Sequence, residues 1–332
     1  MFIPGVSPFS SMLHTESAIH MGTAEFGVHG GMDQFHMMDP MEMRHGVFAW
    51  NGESISGGSS LSKEGTPNAQ TLAQTLFPGH RAPTDAAAIA QVARHSSFSE
   101  FLKSGSVLAW TQNVAGEKIP CVYGLCELPA TPDQVFDTLL DVNGLQDWMP
   151  RVMMFKSEDP DAGDPLAMRR RFRTHRSLHL ENILSRFQTS RPLFHGRFSV
   201  DYRQINGGAL QMEWNLRGDQ KASAEDTKKL GLKEMKMNNS SFTLLPSPER
   251  SDRSICAYHL NVQPADLPFL ASVIILFVPG DNTNELDRLF QSLYNRTLSN
   301  KWTAKSDKDP LGLELYRSPA PTPVRFNVRK IY

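Results

Sequence analysis

Few side chains in this 332-residue sequence have both the type and the spacing that chemistry requires. His259, in the run ICAYHLN, is one of them. It shares a side with Ile255 and Ala257, and reads as a hydrogen-bonded core histidine or as a ligand contact or proton-transfer group. Arg170, in LAMRRRFR, alternates with Leu166, Met168 and Phe172. An arginine on that inward side needs an anionic partner, from the protein or from a ligand, unless a bulge shifts the register and turns it outward. The segment Met32 to His45 gathers five methionines, two histidines and three carboxylates. Such soft and borderline ligands suit copper, but no ligand spacing repeats, and a flexible tail is the plainer reading. The sequence has no nucleophile elbow, H-E-x-x-H, phosphate-cradling glycine loop or carboxylate pair on a common face. No catalytic residue, metal ligand or cofactor is assigned. Cys121, Cys126 and Cys256 form no C-x-x-C pair and read as buried thiols of a reducing compartment.

The elements that must position these residues begin with TPDQVFDTLLD, Thr131 to Asp141. Thr131 caps a helix, Pro132 suits its first position, and Gln134 can reach back to the cap. Val135, Phe136, Leu139 and Leu140 share its apolar face, while Asp133, Asp137 and Asp141 are expected in solvent. A shorter helix is predicted over Ala86 to Ala93, and strands over 106–111 and 119–128. Seven strand-like runs follow, at 152–157, 166–175, 178–188, 194–205, 209–217, 236–245 and 255–262. Phe198, Val200 and Tyr202 alternate with polar residues, as do Leu210, Met212, Trp214 and Leu216. Asn206-Gly207-Gly208 between those two runs is hairpin chemistry. Leu286, Leu289, Phe290, Leu293 and Tyr294 then mark a long amphipathic helix ending near Ser299.

Composition sets the limits. Hydrophobic residues make up 40% of the chain, charged residues 21%, and the formal net charge is −1, so no nucleic-acid partner is expected. The longest apolar run, Phe269 to Val278, is about half of the roughly 20 residues a membrane helix needs. The N-terminus carries neither a secretory signal nor an Arg-rich transit peptide, and a cytoplasmic location is expected. Residues 1–82 read as a mostly disordered leader rich in Met, His, Ser and Gly, residues 83–301 as the folded domain, and residues 302–332 as a C-terminal extension.

Strands with one apolar face, bounded by amphipathic helices, define an α+β arrangement. The order of strand, capped helix, Asp-Trp-Met-Pro loop, strand series and long final helix resembles the START-type lipid-transfer domains of the helix-grip superfamily, which also holds polyketide cyclases and aromatases. The resemblance is carried by LPATPDQVFDTLLDVNGLQDWMPRV (Leu128 to Val152) and NVQPADLPFLASVII (Asn261 to Ile275). It implies a curved antiparallel sheet wrapped around the C-terminal helix, with a hydrophobic cavity between them. Trp148, Met154, Phe172, Phe198, Tyr202, Met212 and Trp214 are the expected apolar lining, with Arg170 and His259 as polar contacts. The implied partner is a lipid or other hydrophobic small molecule, bound and carried between membranes. A cyclase-type enzyme using the same cavity, or a ligand-gated interaction module, are the alternatives. Arg169, Arg171 and Arg173, on the other side of their run, are read as an outward stripe that meets anionic membrane, or as a solvated strand face.

Overall fold

The computed structural model describes residues 65–117, 119–188, 193–217, 224–264, 281–304, 313–317 and 327–330. Nine of the described strands form one sheet. In chain order the strands are β1 (Ser106–Gln112), β2 (Cys121–Leu128), β3 (Val152–Lys156), β4 (Ser177–Gln188), β5 (Leu193–Gln204), β6 (Leu210–Leu216), β7 (Leu232–Pro246), β8 (Ser254–Pro264), β9 (Asn300–Ala304), β10 (Leu313–Arg317) and β11 (Asn327–Lys330). The sheet order is β11-β1-β2-β8-β7-β6-β5-β4-β3, and β9 and β10 make a separate hairpin. From β1 through β8 to β3 each neighbour along that order is antiparallel, as one-sided alternation requires. Asn206, Gly207 and Gly208 join β5 to β6, and both glycines take the positive φ that the tight turn demands.

Helices cover both faces of the sheet. α1 (Ala69–Leu76), α2 (Ala86–Arg94) and α3 (Ser99–Lys103) lie on the outer face of β1, β2 and β8. On the inner face lie α4 (Pro132–Leu139), α5 (Pro165–His175) and the long α7 (Asp281–Ser299), while α6 (Ala224–Leu230) leads into β7. A large sheet gripping a C-terminal helix is the α+β helix-grip arrangement expected from the order of elements. Among the described residues no helix is long and apolar enough to cross a membrane.

α4 forms as its sequence dictates. Thr131 Oγ1 accepts from the Gln134 N–H at 3.4 Å, and Gln134 Oε1 accepts from the Thr131 N–H at 2.9 Å, closing a capping box. Replacing Thr131 with alanine should therefore cost about 1 kcal/mol in urea unfolding, and an unchanged midpoint would deny the cap its role.

Several expectations are corrected. The run 166–175 is helix α5: Asp164 caps it through the Leu166 N–H at 2.9 Å, and Pro165 sits at its first position. Leu, Ala, Met and Arg are strong helix formers without a β-branched stretch, and cap plus propensity override the apparent alternation. Asp137 and Asp141 of the opening helix region are buried, each facing an arginine. Packed structure begins before residue 83, because Leu72, Leu76 and Phe77 bury against the outer sheet face. α1 spans little more than two turns, too few for a period to stand out. The C-terminal extension contributes β11 to the sheet, paired in parallel with β1. The Met32–His45 segment and the 269–278 apolar run lie outside the described residues, as do the remaining residues before 65.

Candidate functional site

Register places the inner-face side chains in rungs, because residues directly opposite across a sheet share a face. The first rung runs Leu178, Tyr202, Met212, Phe242, Tyr258, Gly124. The second runs Leu180, Val200, Trp214, Ser240, Leu260, Val122. The third has Ile183, Phe198 and Leu216 on one side and Asn238 with Val262 on the other. A bulge in β4 after Leu180, with Asn182 at positive φ, moves the inward parity from even to odd residues, so Ile183, Ser185 and Phe187 continue the face.

The first rung is sealed. Tyr202 donates its hydroxyl to the Leu139 carbonyl at 2.9 Å and packs edge-on against Phe136. Phe136 in turn meets Phe172 of α5 at 4.7 Å between ring centroids. Phe290 of α7 packs edge-on against Tyr258 and lies so close to Gly124 that a Cβ there would meet its ring at 3.0 Å. Packing loosens toward the other end, where Val122, Leu260, Val262, Leu216, Phe187, Val152 and Met149 are only half-buried.

Trp148, Phe172, Phe198, Tyr202, Met212 and Trp214 all join this inner core, Trp148 with its indole N–H buried and unpartnered among the described residues. Three expected contacts do not join it. Met154 pairs with Arg186, which faces away from the inner core because its neighbours Ser185 and Phe187 carry the inward parity. Arg170 is half-buried on α5, since a helical turn separates it from the alternation that a strand would have given. His259 faces outward, because Cys256 and Tyr258 take the inner positions of β8. There it stacks against both Phe77 and Tyr123 at 5.7 and 5.6 Å, and burial pushes its imidazole down to about 4. His80 Nδ1 lies 2.6 Å from the Tyr123 hydroxyl beside it. Cys121, on the same outer face, has its thiol pushed up to about 12 by burial and is no thiolate nucleophile.

The arginine stripe also dissolves. Arg169 is buried against Asp137 at 2.7 Å, Arg171 bonds Asp159 and Asp161, and Arg173 reaches Asp133 at 3.1 Å. Burial pushes the Asp137 carboxyl up to about 7, and the facing Arg169 guanidinium holds back part of that rise. Burial likewise lowers Arg169, with Asp137 opposing it. Sequence reasoning missed Asn238 and Ser240, although their alternation with Phe242 and Leu244 in NNSSFTLL carried the signal. Among the described residues no group of three or more His, Cys, Asp or Glu side chains is arranged to hold a metal ion.

No family model and no curated protein matches the chain. Solved structures do resemble it. A STAR-related lipid transfer protein fragment from Xanthomonas axonopodis shares 17% identity over 56% of this chain and 90% of its own, at a TM-score of 0.41. Human StAR-related lipid transfer protein 5 shares 11% identity over 63% and 94%, also at 0.41. The Zhui aromatase/cyclase from Streptomyces shares 7% over 53% and 92%, at 0.31.

Proposed function

We propose that this protein binds a lipid or other hydrophobic small molecule against the inner face of its sheet and carries it between membranes. The carrying observation is the gradient along that face: three largely apolar rungs, closed at one end by α4 and α7, with half-buried apolar side chains at the other. Half-buried Val, Leu and Phe side chains gathered at one end of the sheet are what an apolar ligand would cover, at roughly 25 cal/mol per Å² removed from water. Trp148, Phe198 and Trp214 belong to the lining in this reading, and Phe172 backs it through Phe136. Three buried free thiols accord with a reducing, cytoplasmic location. Contact with anionic membrane through Arg169, Arg171 and Arg173 is left out, because carboxylates engage all three.

The test is solvent extraction and native mass spectrometry of the purified protein, with tryptophan fluorescence followed during lipid titration. Co-purified lipid, together with a spectral shift that is lost in Trp214→Phe, is expected. A protein that emerges empty and that no lipid class perturbs would overturn the reading. A proton-transfer reading has no observation in its favour, since His259 is on the opposite face of the sheet.

A further inference from the structure

We infer that the ligand is an electrically neutral amphiphile, whose hydroxyl or carbonyl oxygen accepts a hydrogen bond from Asn238 Nδ2. This rests on the inner-face reading above and concerns what that face selects. Among the described residues, the inward-facing positions of β4 to β8 carry one charged side chain, Lys233, exposed at the start of β7 opposite Phe194, by the register of the five strands. The buried polar groups of that face are neutral. Tyr202 is already committed to the Leu139 carbonyl. Asn238 and Ser240 remain, in the middle of the sheet on β7, between the half-buried Leu260 and Val262 on one side and Trp214 and Leu216 on the other.

The pair has a defined polarity. Ser240 Oγ donates to Asn238 Oδ1 at 3.0 Å, which occupies the amide carbonyl and presents the amide nitrogen as the donor. Among the described residues that nitrogen meets only the Met235 thioether at 3.6 Å, a weak acceptor. Asparagine is a poor strand former, and a buried amide is costly unless well bonded. Asn238 is nonetheless 6% exposed and Ser240 fully buried. A ligand oxygen would complete the amide's bonding where the thioether does not. Among the described residues an ionised head group beside Asn238 would find no counter-charge next to it: Lys233 is five residues away at the exposed start of β7, and the buried cation on the helical side of the core, Arg169, is matched by Asp137 at 2.7 Å.

The experiment uses the full chain and three probes: Nile red to report the apolar face itself, and monoolein and oleate to compete for it. At about pH 8, where oleate is ionised, monoolein is expected to displace the dye at a concentration about tenfold lower than oleate. Asn238→Leu should bring the two competitors to within about threefold of each other, whatever its own affinity for the dye. Ser240→Ala removes only a hydroxyl and frees the amide to rotate, so it should narrow the ratio as well, and it decides the matter if Asn238→Leu fails to fold. Oleate binding as tightly as monoolein in the wild type would overturn the inference while leaving the binding face intact. So would a ratio unmoved in the variants. A wild-type protein that takes up neither dye nor competitor would overturn the binding reading itself, and this inference with it.

Discussion

Replacing Arg169 with methionine should cost about 3–5 kcal/mol of stability near neutral pH, more than any surface ion pair in this chain could account for. The loss comes less from the missing attraction than from the carboxylate left behind. Asp137 is 5% exposed on α4, and Arg169 is the charge that faces it at 2.7 Å across the α4–α5 interface. Without the guanidinium, burial raises the carboxyl beyond the value of about 7 it has with Arg169 in place. The sign follows. A carboxyl whose folded pKa lies above its ordinary 3.8 binds its proton more tightly when folded. Its contribution is fully favourable below 3.8 and is lost as pH rises through the folded value. The variant should therefore be more impaired at about pH 8 than at about pH 5, where the buried carboxyl is neutral with or without Arg169, by about 1 kcal/mol for each pH unit above the wild-type value of about 7. Urea unfolding at both values checks it, and an equal loss at both would show that the pair contributes through packing alone.

That pair also marks the boundary of what the chain discloses before it folds. The helix start at Thr131 was readable because all its determinants lie within four residues: a cap, a proline and a returning glutamine. The inward faces of β5 and β6 were readable because period-two alternation is a local property. α5 misled because LAMRRRFR satisfies a two-residue and a helical period alike, and Asp164 and Pro165 break the tie only if weighed together with it. His259 was misplaced for a different reason. Its strand was identified correctly, but a strand covered on both sides has two apolar faces, and alternation cannot say which one a ligand meets. The cover on the outer side comes from α1, two short turns whose leucines show no pattern until the sheet is present. The Asp137–Arg169 contact joins two helices through tertiary packing, so no local signal specifies it.

Phe77→Ala should show how that outer cover works. Phe77 is 1% exposed at the end of α1 and sits 4.8 Å from Tyr123, 5.7 Å from His259 and 6.1 Å from Trp110, ring centre to ring centre. Truncating it should cost about 3–5 kcal/mol, the range for a large aromatic removed from a packed core. A second consequence distinguishes this site from generic packing. Burial holds His259 at about 4, below its ordinary 6.5, so as pH falls from 6.5 the unfolded chain takes up the proton first and the wild type loses stability down to about 4. Asp137 pulls the other way between about 7 and 3.8, so the two slopes oppose one another across most of the acid range. Opening the aromatic lid admits water to His259, raises its pKa toward the ordinary value and removes one of the two slopes. The stability deficit of Phe77→Ala should then shrink as pH falls from 6.5 to about 4, and the His259 ring protons should titrate at higher pH by NMR. If the imidazole still titrates near 4 in a variant that has lost its α1 packing, the sheet alone desolvates His259, and α1 is only its neighbour.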